Sequence, residues 1–205
     1  MGTPVRSRNR NGQHPRVRLQ EAGTRLFYNK GFHATSVRDI TEACGLTPGA
    51  LYNHFGSKEE LLYSIIMDGH AALDRLLDAV RTDAPAPERL HGLIEAFVLH
   101  HTRYRKEAVV GDEWRALGEE HRDEVRRLRL GIRARVQDVI RDGAATGAFE
   151  LPKVPNGDPV RMAATAALDM SFRVAGWFSP DGPVSDTAFA SFYADLVLRS
   201  ISKVR

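Results

Sequence analysis

Residues 36–58, S-V-R-D-I-T-E-A-C-G-L-T-P-G-A-L-Y-N-H-F-G-S-K, restrict this chain more than any other segment. Ser36 is suited to cap a helix, and Asp39 stands in the first turn, where an acid complements the helix dipole. Val37, Ile40, Thr41 and Cys44 recur at helical spacing. Gly45 follows where helices commonly end in a left-handed residue. Leu46 then plugs the turn, Thr47 caps a second helix, and Pro48 takes its first position, where a missing N–H is harmless. Ala50, Leu51 and Phe55 can face inward, which leaves Thr47, Gly49, Tyr52, Asn53 and His54 toward solvent. Ser57-Lys58-Glu59-Glu60 reads as a capping box that opens a third, longer helix. Two short helices joined by a tight glycine turn form a helix-turn-helix unit, whose second helix enters the major groove of DNA.

The surrounding residues carry a resemblance. A-x-x-L-F-x-x-K-G-F runs across Ala22 to Phe32, T-S-V-R-D-I-T-E-A-C-G-L across Thr35 to Leu46, and G-A-L-Y-N-H-F-G-S-K-E-E-L across Gly49 to Leu61. In this order and with these spacings, the chain resembles the TetR family of bacterial transcription regulators. Thr41 stands where that family usually has Ala. The resemblance is strong from about Arg18 to Leu62 and extends to the remainder only as general architecture. It implies an all-α fold, with an N-terminal three-helix DNA-binding domain followed by a helical domain for effector binding and dimerisation.

Three units are expected: a basic flexible arm over 1–15, the helix-turn-helix domain over 16–62, and the second domain over 63–205. The arm's basic character continues into the first helix, since Arg6, Arg8, Arg10, Arg16 and Arg18 all precede the first acid, Glu21. Such an arm can reach phosphates or a minor groove, or it can simply solubilise the chain. The net charge is only +3, so the basic residues matter by position rather than number. One cysteine, Cys44, excludes an internal disulfide and points to a reducing compartment; we read it as a small buried residue. No secretory signal is visible, position 6 is Arg rather than the Ser or Thr of a myristoylation motif, and no apolar run approaches the roughly 18 residues of a membrane span. A cytoplasmic protein is expected.

Beyond the motif the chain reads as helix throughout its 205 residues. Segments are expected over Arg16–Asn29, Lys58–Val80, Glu88–Lys106, Ala108–Leu117 and Arg122–Gly143, with a polar, proline-bearing break over Asp83–Pro87. The Arg122–Gly143 helix is strongly basic on its outer side. Pro159–Phe178 is apolar or small nearly all round, so it is expected to be buried on every side. Asp186–Ile201 carries Phe189, Phe192, Tyr193, Leu196, Val197 and Ile201 at helical spacing. A second copy is the simplest cover for two such helices, through a four-helix bundle involving Ala167, Leu168, Phe189, Phe192, Tyr193 and Leu196. The family resemblance implies the same dimer.

Function divides between the two ends. Asn53 can pair with adenine, Tyr52 and His54 can contact bases or phosphates, and Pro48 and Gly49 lie at the same tip. Lys58 and the start of its helix suit a phosphate, with Thr35, Ser36, Arg38 and Thr47 as further phosphate candidates. The partner is double-stranded DNA with a palindromic operator. In the second domain His100, His101, Tyr104, Asp112, Trp114, Asp169, Ser171 and Trp177 lie near apolar faces and could line a site for a small, largely apolar effector. The segment W-F-S-P-D-G-P, Trp177 to Pro183, is similar to a TetR subgroup that senses acyl-coenzyme A thioesters. That subgroup tends to place Arg and Trp on the preceding helix; here Arg173 and Phe172 stand there.

Two other classes compete. His91, His100, His101 and His121 invite a metal or enzymatic reading, but they lack the spacing of an H-E-x-x-H site, and no nucleophile elbow is present. Neither a cofactor nor a metal is expected. An effector-independent DNA-binding protein is the alternative; more than a hundred residues beyond the motif argue against it.

Overall fold

The computed structural model describes residues 14–202. Among them the chain forms α1 (Pro15–Lys30), α2 (Val37–Ala43), α3 (Pro48–Phe55), α4 (Lys58–Asp78), α5 (Ala86–Arg103), α6 (Arg105–Gly111), α7 (Glu119–Ala145), α8 (Pro159–Phe172), α9 (Val174–Trp177) and α10 (Asp186–Ile201), with a 3-10 turn over Asp112–Ala116 between α6 and α7. The all-α expectation is borne out. One extended pairing is described, a bridge between Phe149 and Ser202, beside which Glu150 N–H donates to Ile201 O at 2.8 Å. It ties the loop after α7 to the end of α10.

The helix-turn-helix forms for the local reasons its residues supply. Ser36 and Asp39 make a reciprocal capping box at the start of α2. Gly45 turns the chain with a φ of 64°, in the left-handed region that side chains disfavour. Thr47 occupies the cap position of α3 with extended backbone, but its side chain makes no capping bond. Ser57 Oγ accepts the Glu60 N–H at 3.0 Å and starts α4.

Two clusters of buried apolar side chains result. The first joins Leu19, Phe27, Ile40, Leu51, Phe55, Leu61, Leu62, Ile65 and Ile66, and it is closed from the other side by Val110, Leu117 and Val125. The second packs Leu73 and Leu77 with the inner faces of α5, α7, α8 and α10. The change from one cluster to the other falls inside α4, between Ile66 and Leu73. The DNA-binding unit is therefore sealed partly by residues far along the chain, and α4 belongs to both units.

Several expectations need correction. Cys44 is half-buried rather than buried. The Pro159–Phe178 helix is interrupted at Arg173. It is also not buried on every side, because Met162 and Met170 are exposed. Arg16 and Arg18 lie in α1, as expected, and both are engaged within the fold. Arg16 donates to Ser64 Oγ at 3.2 Å and lies over the Phe55 ring, while Arg18 donates to the Cys44 carbonyl at the motif's turn. Arg6, Arg8 and Arg10 fall outside the described residues.

Candidate DNA interface and effector cavity

The DNA-facing residues separate into an outward and an inward set. Tyr52 is 55% exposed and Leu51, beside it, is fully buried, so α3 presents the expected faces. Thr47, Pro48, Gly49 and Asn53 are exposed at the same tip. His54 is half-buried, its ring edge-on to His14 at 5.6 Å. Arg38 is open to solvent and holds Glu42 one turn on at 2.6 Å. A surface pair of this kind is worth little and exchanges readily for a phosphate.

Three expected phosphate contacts are otherwise engaged. Thr35 is 1% exposed, and its hydroxyl donates to Gly31 O at 2.8 Å. Ser36 Oγ is consumed by its capping box, accepting from Asp39 N–H at 3.1 Å and donating to Asp39 Oδ2 at 2.8 Å. Lys58 Nζ donates to Phe32 O at 2.8 Å and to Thr35 O at 2.7 Å, and it sits 4.3 Å from the Phe32 ring centroid. Burial pulls its ammonium below the usual lysine value. Lys58 thus clamps the α1–α2 loop onto the head of α4. Its charge is engaged in two charge-assisted bonds to carbonyls rather than left open to a phosphate.

The second domain encloses a cavity of about 540 Å³ between α4, α5, α6, the 3-10 turn, α7 and α8. That size suits a cofactor-sized or drug-sized molecule. Of the ten residues considered for the effector, His100, His101, Asp112, Trp114, Asp169, Phe172 and Arg173 line it. Tyr104 instead lines a shallower groove between α1 and α4. Trp177 is largely exposed and packs edge-on against Phe189 at 5.2 Å, outside the cavity. Ser171 is buried, with its hydroxyl donated to Ala167 O at 2.7 Å.

Sequence reasoning missed the cavity's dominant chemistry. Arg126, Arg129 and Arg133 recur at i, i+3, i+7 along α7, and with Arg115 and Arg173 they make five arginines against the carboxylates of Glu107, Asp112 and Asp169. The signal was legible as a stripe beside the apolar one, but α7 was read as basic toward solvent. A largely apolar effector still meets apolar side chains in this lining, and the arginines add a demand for acidic groups on it. Arg129 and Arg115 lie on Trp114, 5.2 and 4.8 Å from its ring, and Arg129 Nη2 donates to Gly111 O at 2.7 Å. Burial lowers Arg129 from its usual value. The apolar part of the lining comes from Ile66, Leu73, Phe97, Leu130, Ile132, Leu168 and Phe172.

Three histidines border the same space. Burial, helped by neighbouring positive groups, pushes His70 and His100 down to about 4 and His101 down to about 3. They are uncharged at neutral pH. His91 and His121 stand apart, His91 beside Asp195 at 3.4 Å and His121 beside Glu59 at 3.0 Å.

The expected dimer residues also divide. Ala167 is buried within the chain's own core and Leu168 lines the cavity, so neither is open to a partner. Phe189 and Tyr193 are half-buried against each other, with ring centroids 5.0 Å apart. Phe192, 62% exposed, and Leu196 form the open face of α10. Met162, Met170 and Trp177, which the interface reading omitted, are exposed as well.

Comparison with known proteins agrees with this geometry. Residues 19–65 match the family model "Bacterial regulatory proteins, tetR family", and residues 83–201 match "Tetracyclin repressor-like, C-terminal domain". The chain is 30% identical over 188 residues to the HTH-type transcriptional repressor KstR2 of Mycolicibacterium smegmatis, covering 90% of this chain and 89% of that one. Among solved structures, a bacterial regulatory protein of the tetR family from Rhodococcus RHA1 superposes with a TM-score of 0.84 at 29% identity, covering 94% of this chain and 100% of that one. AibR, solved in complex with isovaleryl coenzyme A and operator DNA, superposes with a TM-score of 0.75 at 23% identity, covering 92% of this chain and 98% of that one, a likeness of fold.

Proposed function

The chain belongs to the TetR family of bacterial DNA-binding transcription regulators, and from that premise we propose a dimeric repressor that leaves a palindromic operator when an acyl-coenzyme A thioester fills the α4–α8 cavity. The observation that carries this reading is that the arginine stripe Arg126, Arg129 and Arg133 lines the same cavity as the apolar Leu73, Phe97, Leu168 and Phe172. A coenzyme A thioester has polyanionic phosphates at one end and an acyl group at the other. Arg126 already pairs with Asp123 at 2.9 Å and Arg129 with Asp112 at 3.8 Å, but a hydrocarbon leaves the buried Nε atoms of Arg129 and Arg133 without an acceptor, and a bare phosphate leaves the apolar side chains without a partner. Guanidinium groups also pair with phosphate oxygens in two-pronged fashion, which lysine does not.

DNA reading is assigned to Thr47, Pro48, Gly49, Tyr52, Asn53 and His54, with Arg38 at the flank. Pairing of two copies is assigned to the exposed faces of α8 and α10, with Phe192 and Leu196 as its centre. Two-fold symmetry sets the α3 helices about 34–36 Å apart, one turn of DNA. Because α4 carries both the head of the motif and the cavity wall at Ile66, Gly69, His70 and Leu73, an occupant can alter that spacing. Release requires the occupant to favour the non-binding arrangement by about 1–3 kcal/mol of coupling.

The test is to select an operator from random DNA, then follow its release by fluorescence anisotropy against coenzyme A thioesters, free coenzyme A and the matching free acids. Thioesters are expected to release DNA at lower concentration than either fragment. Release by uncharged hydrocarbons and not by thioesters overturns the effector assignment. Phe192→Glu is expected to give monomers in sedimentation and weak operator binding; an unchanged dimer overturns the interface.

A further inference from the structure

The two ends of the cavity differ in character. Its mouth carries exposed groups, Arg115, Arg126 and Arg173 among them. Its inner end is walled by buried side chains of α4, α5 and α7: Leu73, Phe97, Ile132, His100 and His101. The two adjacent histidines are treated differently. His101 Nδ1 donates to the Phe97 carbonyl one turn back, at 2.7 Å. His100 is 4% exposed, and its Nδ1 has no hydrogen-bond partner.

Three more buried nitrogens share that condition: Nε1 of Trp114 and the Nε atoms of Arg129 and Arg133. All four residues border this one cavity, and these are the buried side-chain polar atoms without a partner among the described residues. Buried polar atoms nearly always find a partner, so an orphan asks for a reason. Four orphans around one cavity ask for a common reason, an occupant that brings acceptors. Indole and guanidinium nitrogens only donate, so the complementary group is an oxygen. Phosphates answer this at the arginine side. They do not explain His100, which lies on α5 beside the rings of His101 and Tyr104, 5.1 and 5.2 Å away.

We propose that the acyl part of the effector carries an oxygen acceptor, a keto or carboxylate oxygen, that pairs with His100 at the inner end of the cavity. The protein then selects oxygenated thioesters over plain hydrocarbon ones. This inference rests on the effector assignment made above. A saturated chain against His100 leaves the nitrogen buried and unpaired. A site that hydrogen-bonds its ligand rejects the analogue lacking the bonding group much more strongly than an apolar site rejects an added one.

Hexanoyl-, 5-oxohexanoyl- and adipoyl-coenzyme A, with free coenzyme A as the fourth probe, separate the possibilities, since the acyl chains share one length. Binding is measured by calorimetry on the full chain and on His100→Phe, with His100→Leu as a second variant should His100→Phe fail to fold. At least one oxygenated thioester is expected to bind about tenfold or more tighter than hexanoyl-coenzyme A, a factor typical of one well-placed hydrogen bond. His100→Phe is expected to shrink that ratio to about twofold while leaving hexanoyl-coenzyme A no weaker. Its melting temperature is expected to hold or rise, because an unpaired buried nitrogen has gone. His100→Leu is expected to reduce the same ratio. Equal binding of all three thioesters, or a preference that survives removal of the nitrogen, overturns the inference and leaves the effector assignment standing. Failure of all four probes to bind overturns both.

Discussion

Glu59 on the first turn of α4 and His121 on the first turn of α7 share a 3.0 Å hydrogen bond, and the same Glu59 oxygen accepts the Gly118 N–H at 2.9 Å. One turn on, Tyr63 donates to Glu124 at 2.6 Å and stacks on the His121 ring with centroids 3.9 Å apart. This clasp joins the helix that leaves the DNA-binding motif to the helix that carries Arg126, Arg129 and Arg133. On the proposed mechanism, an occupant that draws on those arginines is expected to pull on α4 near its start. Glu59→Ala with Tyr63→Phe is expected to leave operator affinity and thioester binding within about threefold of the parent. The effect of the thioester on operator affinity is expected to fall, since coupling is a free energy separate from either binding step. Full release by the double variant in anisotropy titrations removes the clasp from the mechanism.

Tyr52→Ala is expected to weaken operator binding by about 1–3 kcal/mol per subunit without lowering the melting temperature, because its ring faces out of α3. Leu51→Ala is expected to destabilise the fold by about 2–5 kcal/mol, because the side chain is fully buried in the first cluster. Thermal melts and gel shifts on both variants decide. Early melting of Tyr52→Ala alone means that the faces of α3 are reversed.

Lys58→Met is expected to behave as a stability variant. It removes two charge-assisted bonds to Phe32 O and Thr35 O, at a cost of about 1.5–3 kcal/mol for such a donor. The salt dependence of DNA binding counts phosphate contacts, and it is expected to keep its slope. A shallower slope with unchanged stability returns Lys58 to the phosphate contacts.

Acid is expected to destabilise the second domain through its histidines. His70 and His100 are held at about 4 and His101 at about 3, against the ordinary 6.5. Each is neutral when folded and takes up a proton more readily when unfolded, so stability is full above pH 6.5. It falls as the pH drops from 6.5 toward 4, and toward 3 for His101. Denaturant unfolding between pH 7 and pH 4.5 is expected to show this slope, and His101→Phe is expected to flatten it. An identical slope in that variant removes His101 from the account.

The helix-turn-helix was legible because its signals are local. A cap, a left-handed glycine at Gly45, a proline at the first helical position and an inward Leu51 each act within a few residues, so their order on the chain carries the structure. The helix boundaries elsewhere were legible to within a few residues for the same reason, except where Arg173 interrupts the α8–α9 run and where the expected Ala108–Leu117 helix instead ends at Gly111 and gives way to the 3-10 turn over Asp112–Ala116. Roles of charged residues were not. Arg18, Lys58 and the arginines of α7 look alike as letters in a sequence.

What the chain alone determined, then, was the fold family, the exposed tip of α3 and the need to cover the apolar side of its last helices, all set by backbone preferences and periodicity. What only tertiary structure decided was where each polar group finds, or lacks, a partner. Lys58 is spent on carbonyls 23 and 26 positions away. The cavity draws its wall from Ile66 through Arg173, and its basic lining follows from which side of α7 the second cluster leaves uncovered. Hydrogen bonding and burial depend on distance in space, and no pattern along the sequence encodes a distance between helices that meet only after folding.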